Sequence, residues 1–300
     1  GCVNSHWIVV MPTMRLGPKD RDYAVVCAVP VDHPGLTFVV GRQSCDTRAL
    51  EGGSVDVGNA RFGGQEALIV FDEVFVPNEL VFMDGEFEFA ADLVERFTAY
   101  HRRSYVCKAG VGDVLIGAAA LIADYNGVPQ VSHVRDKLVE MAHLNETIYG
   151  AGIASSHESS QTPAGNFQND GLLANVCKHN VTRFPYEIAR LAQDLAGGLL
   201  ATLPSEHDFR NEEIGPLLKK YLVGREGASA EMRARALRLI ENLTMGRNAV
   251  GYLTESMHGA GSPQAQRIQI ARQMQIEEKK ALARVLAGIV SESSEGTGTS

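Results

Sequence analysis

The sequence predicts an α+β architecture, with a small β-barrel or sandwich over residues 1–85 and an antiparallel bundle of long helices over residues 86–291. Three observations carry that expectation. In the first part of the chain, short runs rich in Val, Ile and Phe alternate with Gly, Pro and Asp clusters, leaving no room for long helices between them. From about residue 86 the apolar spacing switches to the helical period and keeps it. The periodic stretches are long and the breaks between them short, which favours antiparallel neighbours.

In order, the strand candidates are Trp7–Met11, Tyr23–Val29, Leu36–Val40 and Leu68–Val76, with Phe71–Pro77 read as a terminal strand closed by its proline. The first helical stretch is expected over Glu86–Asn126, ending at the Asn126-Gly127 stop signal. Further helices are expected at about 131–157, 168–200, 212–223, 228–257 and 262–291, parted by the loops Ser159–Asn166 and Pro204–Asn211. Residues 292–300, all small, polar or acidic, read as a disordered tail. The chain opens on Gly1 and runs almost at once into an apolar strand, so a further N-terminal region is expected ahead of it.

Composition narrows the function classes. The 45% hydrophobic and 21% charged content is that of a globular domain with a full core. A formal charge of -8 argues against nucleic acid or an anionic membrane as the main partner. No apolar run was expected to approach the ~20 residues of a membrane-crossing helix. The five cysteines, at 2, 27, 45, 107 and 177, are odd in number and scattered, as reduced thiols in a cytoplasmic protein would be.

The densest chemical signal is Tyr100-His-Arg-Arg-Ser-Tyr-Val-Cys-Lys108. On a regular helix His101, Tyr105 and Lys108 stand at i, i+4 and i+7, placing an imidazole, a phenol and a primary amine on one face. Cys107, at i+6, falls roughly 120° away from His101 on an ideal helix. Two carboxylates join this set: Glu66, after Gly63-Gly64-Gln65, and Glu255, just ahead of His258-Gly-Ala-Gly-Ser-Pro-Gln-Ala-Gln-Arg267. Gln193-Asp-Leu-Ala-Gly-Gly198 offers close backbone approach to a ligand, or simply a helix C-cap. His6, His133, His143, His157, His179 and His207 show no mutual metal spacing. There is no Rossmann fingerprint and no P-loop.

The segment His101–Gly127 resembles the signature of the 4-hydroxybutyryl-CoA dehydratase family, and Tyr23–Pro30, Arg61–Glu66, Gln193–Ser205 and Glu255–Arg267 extend the resemblance along most of the chain. The resemblance implies an acyl-CoA dehydrogenase-like fold, with residues 1–85 as its middle domain and its N-terminal helical domain missing. It implies FAD and a 4Fe–4S cluster, a CoA-thioester substrate, a homotetramer, and radical dehydration of 4-hydroxybutyryl-CoA to crotonyl-CoA with vinylacetyl-CoA isomerisation. His101 and Cys107 would be cluster ligands, two further cysteine ligands lying outside this chain. His101, Glu66 and Glu255 would carry proton transfers, Tyr105 would stand near the flavin, and Lys108 would face substrate or flavin. Gln193, Gly197 and Gly198 would touch FAD, often that of a neighbouring subunit. The family spacing has two residues between its tyrosine and cysteine, whereas only Val106 stands between Tyr105 and Cys107. Ligation by Cys107 would therefore need a bulge or an unwound turn there. The alternative on the same fold is a reduced-flavin-dependent aromatic hydroxylase resembling 4-hydroxyphenylacetate 3-monooxygenase.

Overall fold

A computed structural model describes residues 4–40 and 67–289. Five strands come first: β1 (Trp7–Val10), β2 (Val25–Pro30), β3 (Leu36–Val40), β4 (Ala67–Phe71) and β5 (Val81–Asp84). They form a three-stranded antiparallel sheet in the order β1-β2-β5 and a separate antiparallel β3-β4 pair. The central strand β2 is the buried one, with Val26, Cys27, Ala28 and Val29 all inside, because only a strand paired on both edges is covered throughout. The Phe71–Pro77 segment is not the terminal strand: pairing stops at Phe71, and Glu73 sits in the left-handed region with φ 48°. The last strand ahead of the helices is β5, which enters after Pro77 and a single 3₁₀ turn.

Helices take over at Ala90. They are α1 (Ala90–Ser104), α2 (Lys108–Tyr125), α3 (Ser132–His157), α4 (Gly171–Val181) and α5 (Phe184–Ala196). A two-residue hairpin, Ser160–Gln161 with Phe167–Gln168, fills the loop between α3 and α4. Short helices α6 (Leu199–Thr202), α7 (Glu206–Arg210) and α8 (Gly215–Tyr221) lead to α9 (Ala230–Thr244). Then come a π-turn at Val250–Thr254, α10 (Glu255–His258), α11 (Pro263–Gln273) and α12 (Ile276–Leu286). The stretch expected to be one helix over 168–200 is split at Thr182-Arg183, because Pro185 restricts the residue before it and suits only a helix start.

The core lies where α2 passes through the other helices. Leu115, Ala119 and Ile122 of α2 meet Met141 of α3, Ile188 and Ala192 of α5, and Leu237 and Ile240 of α9. By length and composition the Phe87–Tyr125 stretch does contain a window apolar enough to cross a membrane, with mean hydropathy 1.8, contrary to the reading of the sequence. Its apolarity has a local cause. A helix packed by α3, α5 and α9 must be apolar on most of its circumference.

Candidate functional site

The break between α1 and α2 organises the site. Tyr105–Cys107 forms a single 3₁₀ turn, with Tyr105 N–H donating to the Arg102 carbonyl and Lys108 N–H to the Tyr105 carbonyl. A 3₁₀ turn advances about 120° per residue rather than 100°, so three such steps swing Cys107 back to roughly 60° from His101's direction. The structure has neither the bulge nor the unwound turn expected at the shortened spacing, but an overwound turn in their place. Val106 seats this turn against α3 at Gly152, where a Cβ would come within 2.5 Å of the Val106 Cβ.

On the other side of the turn, Tyr105 is buried and its hydroxyl donates to Glu255 Oε1 at 2.5 Å. Lys108 Nζ donates to Glu255 Oε2 at 2.9 Å and to the Gly251 carbonyl at 2.7 Å. That carbonyl belongs to the π-turn, whose wider winding precedes Glu255. The His101 ring stands 5.5 Å from the Tyr105 ring, centroid to centroid. His101, Tyr105, Lys108 and Glu255 therefore converge across about 150 residues of sequence. Gly259 is what lets them close: a methyl there would collide with the Tyr105 hydroxyl and come within 2.6 Å of Glu255 Oε1.

Charge states follow from this packing. Burial is the largest single influence on Glu255 and pushes its pKa up, but the Tyr105 and Lys108 hydrogen bonds, with the charges of Lys108 and Lys178, hold it below the usual 4.5. Burial pulls the His101 imidazole below its ordinary 6.5, Glu255 opposing and Lys178 and Arg102 assisting. A neutral imidazole keeps a nitrogen lone pair free. The ring nitrogens of His101 make no hydrogen bond among the described residues.

Sequence reading missed two members. Lys178, on α4, is fully buried, and its ammonium sits 4.4 Å from the Tyr105 ring centroid. Arg102 is buried and donates to the Ala260 carbonyl at 3.0 Å and to Asn175 Oδ1 at 2.9 Å. It steadies Ala260, which holds φ +58° between two glycines. A cationic residue on an apolar helix stripe was the available signal: Ala174, Lys178 and Val181 stand at i, i+4 and i+7, and all three are buried.

Beside the cluster opens a cavity of about 520 Å³, lined among others by Cys107, Lys108, Asn242, Asn248, Gly251 and Tyr252. Tyr252 is buried and its hydroxyl has no partner among the described residues, an acceptor or donor left for a ligand. Cys107 is a free, exposed thiol. Its thiol and the His101 imidazole are the donor types an iron–sulfur cluster takes. No group of three His, Cys, Asp or Glu side chains able to hold a metal exists among the described residues, so these two donors do not complete a cluster by themselves.

The remaining calls lie elsewhere. Glu66 falls outside the described residues. Gln193, Gly197 and Gly198 form the C-terminal turn of α5, Gly197 with φ +73° and its N–H on the Gln193 carbonyl. Both glycines are exposed, with nothing within 4 Å of a built Cβ, and none of the three bonds to the Tyr105 cluster.

Family models match nearly all of this chain: 4-hydroxyphenylacetate 3-hydroxylase N terminal over residues 1–83 and 4-hydroxyphenylacetate 3-hydroxylase C terminal over residues 90–288. The 4-hydroxybutyryl-CoA dehydratase/vinylacetyl-CoA-Delta-isomerase of Clostridium aminobutyricum is 58% identical over 96% of this chain and 61% of its own length. The solved structure of an oxygen-tolerant archaeal 4-hydroxybutyryl-CoA dehydratase from N. maritimus superposes with a TM-score of 0.94 at 68% identity, covering 100% of this chain and 60% of that one. The 4-hydroxyphenylacetate 3-monooxygenase oxygenase component of Thermus thermophilus is 26% identical over 79% of this chain and 49% of its length. The chain thus spans about half to three-fifths of the relatives it matches. It belongs to the 4-hydroxyphenylacetate 3-hydroxylase family, and within it is similar to 4-hydroxybutyryl-CoA dehydratases.

Proposed function

We propose that the protein this chain belongs to dehydrates 4-hydroxybutyryl-CoA to crotonyl-CoA and isomerises vinylacetyl-CoA, on an acyl-CoA dehydrogenase-like fold. The observation that carries the reading is the Tyr105–Glu255–Lys108 constellation with His101 beside it, in a chain 58% identical to a dehydratase of that name. The reaction must remove an acidic α-proton, an unactivated β-proton and a poor leaving group. A flavin would supply one-electron chemistry that acidifies the β-position, and a cluster iron would supply Lewis acidity at the hydroxyl.

The chain's own residues do the rest. Glu255 is an anion held in place by a phenol and an ammonium, so it can accept a proton at Oε1 or Oε2 and return it without reorganising. His101 is neutral, so one ring nitrogen can take the α-proton or ligate iron. Tyr105, locked between Glu255 and the His101 ring, excludes water and can relay a proton. Lys108 neutralises Glu255 from the cavity side. Glu66 completes the acid–base set in this proposal. His101 and Cys107 would hold the cluster with two cysteines from outside this chain. The Gln193–Gly198 turn would offer its backbone to FAD of a neighbouring subunit, a role supported by the open space around Gly197 and Gly198. A cytoplasmic homotetramer belongs to the same proposal, and the free state of Cys27, Cys107 and Cys177 fits a reducing compartment.

One observation favours a second reading. The single residue between Tyr105 and Cys107 departs from the cluster-binding pattern, and a reduced-flavin-dependent aromatic hydroxylase needs no cluster. Anaerobic purification of the full-length protein, with visible spectrum, iron analysis and an assay for crotonyl-CoA from 4-hydroxybutyryl-CoA, separates the two. The dehydratase reading expects flavin, about four irons per subunit and crotonyl-CoA. Flavin without iron, together with hydroxylation of a phenol, would replace it with the hydroxylase.

A further inference from the structure

Lys178 is a lysine with no exposed surface, in the last turn of a helix whose other buried residues, Ala174, Asn175, Cys177 and Val181, carry no cationic side chain. A buried ammonium is costly, and neither the acid–base set nor the cofactor donors use it. Its contacts say what it is kept for. Nζ donates to the Ser256 carbonyl at 2.5 Å and to the Met257 carbonyl at 3.3 Å. Those residues follow Glu255 in α10, a helix of only four residues whose last carbonyls have no helical partner of their own. The same ammonium lies over the ring of Tyr105, whose hydroxyl holds the Glu255 carboxylate. One side chain from α4 thus reaches both halves of the Tyr105–Glu255 hydrogen bond, touching neither polar end of it.

We propose that Lys178 is a positioning residue of the active site, pinning the Glu255-bearing turn to the face of Tyr105 and adding the second positive charge that keeps Glu255 an anion. This rests on the acid–base role assigned above to Glu255. Lys108 bonds the carboxylate directly; Lys178 acts through the backbone of α10 and through its field. The charged and titratable groups around Lys178 are Glu255 on α10, Arg102 and His101 on α1, Tyr105 and Lys108 at the α1–α2 joint, and Cys177 and His179 on α4 itself. Burial, with Arg102 and Lys108 assisting and Glu255 opposing, brings its pKa down to about 8. Its charge is therefore present at neutral pH and fades above it.

The test uses the full-length holoenzyme and two substitutions, Lys178→Met and Lys178→Arg. The first readout needs no turnover: the pH titration of the Glu255 carboxylate by infrared difference spectroscopy on ¹³C-glutamate-labelled protein, with Glu255→Gln to identify the band. Lys178→Met should raise the Glu255 midpoint by about one pH unit, the size of effect a nearby buried charge has. Lys178→Arg, which keeps the charge, should leave it within a few tenths. The second readout is steady-state turnover of 4-hydroxybutyryl-CoA. Lys178→Met should lower kcat about tenfold or more, shift the acid limb of the profile upward, and leave KM within about twofold. An unchanged Glu255 midpoint in a folded Lys178→Met variant overturns the proposal. So does an equal loss in both variants, which marks a packing role alone. If Lys178→Met does not fold, Lys178→Gln read against Lys178→Arg decides by the same midpoint. Absence of crotonyl-CoA from the unsubstituted protein would sink the dehydratase reading while leaving the infrared comparison able to decide on Lys178.

Discussion

Two regions that the sequence marked for function are built in opposite ways. The joint between α1 and α2 is closed. Tyr105 and Lys108, Glu255, and Lys178 come from three separate segments and satisfy one another within the helical domain. The Gln193–Gly198 turn is open, both glycines exposed and no side chain within 4 Å of where theirs would begin. A closed polar cluster has already met the desolvation of its charges with internal bonds, so it is preorganised for chemistry. The open turn is held by its own Gly197 N–H to Gln193 carbonyl bond and by the Asp194–Lys137 ion pair, both at the surface. The contrast separates a buried polar cluster that this chain assembles by itself from a turn that lies open at the surface.

Removing the charge at the centre of the closed region should have the largest effect. Glu255→Gln leaves Lys108 without its ionic partner and takes away the proposed proton acceptor, so kcat should fall by about 10²–10⁴, measured as crotonyl-CoA formed per second by the full-length enzyme. Crowding the same point comes next. Gly259→Ala forces Tyr105 and Glu255 apart; a calorimetric scan should show about 1–3 kcal/mol of destabilisation, with activity falling alongside.

Tyr105→Phe is gentler, since the ring stays and only the hydroxyl goes. It should cost about 1–2 kcal/mol of stability at neutral pH, measured by denaturant unfolding. The sign of its pH dependence is fixed. Glu255 is depressed below 4.5 in the folded protein, so its contribution is present above the unfolded-state pKa and disappears as pH falls through the folded value. Tyr105→Phe raises the folded value, so the difference between variant and wild type should shrink on acidification. Little change between pH 7 and pH 3 would show that Tyr105 does not govern that carboxylate.

At the open turn the expected effects on folding are smallest. Gly197→Ala, at φ +73°, should cost about 1 kcal/mol for the left-handed backbone. Gly198→Ala, in ordinary helical geometry, should cost still less. Flavin retention on gel filtration is the discriminating readout, because a turn that holds FAD should lose it on substitution while melting nearly as before. Equal flavin content in both variants would detach this turn from the cofactor and weaken the contrast.

How much of this was legible in the sequence depended on whether the information was local. The i, i+4, i+7 spacing of His101, Tyr105 and Lys108 needed only a helix, and the three do face one cluster. That Glu255 closes it, 147 residues from Lys108, could not be read from spacing, since it depends on how α10 docks. Lys178 was invisible for the same reason, although a lysine between Ala174 and Val181 on a buried stripe was a clue. The Phe71–Pro77 segment was misread because alternation alone cannot reveal the left-handed turn at Glu73. Cys107 stands between these cases. Sequence gave a one-residue shortfall, and the structure answers it with a 3₁₀ turn that recovers about half of the lost angle.

The most direct test of the central claim, that the α1–α2 joint is where the acyl group reacts, is a crystal structure of the full-length protein with crotonyl-CoA bound. The account predicts the acyl carbons within about 4 Å of Glu255 and of the His101 ring, the reach proton transfer requires. An acyl chain lodged away from both residues, with the Tyr105–Glu255–Lys108 cluster unchanged and untouched, would contradict it.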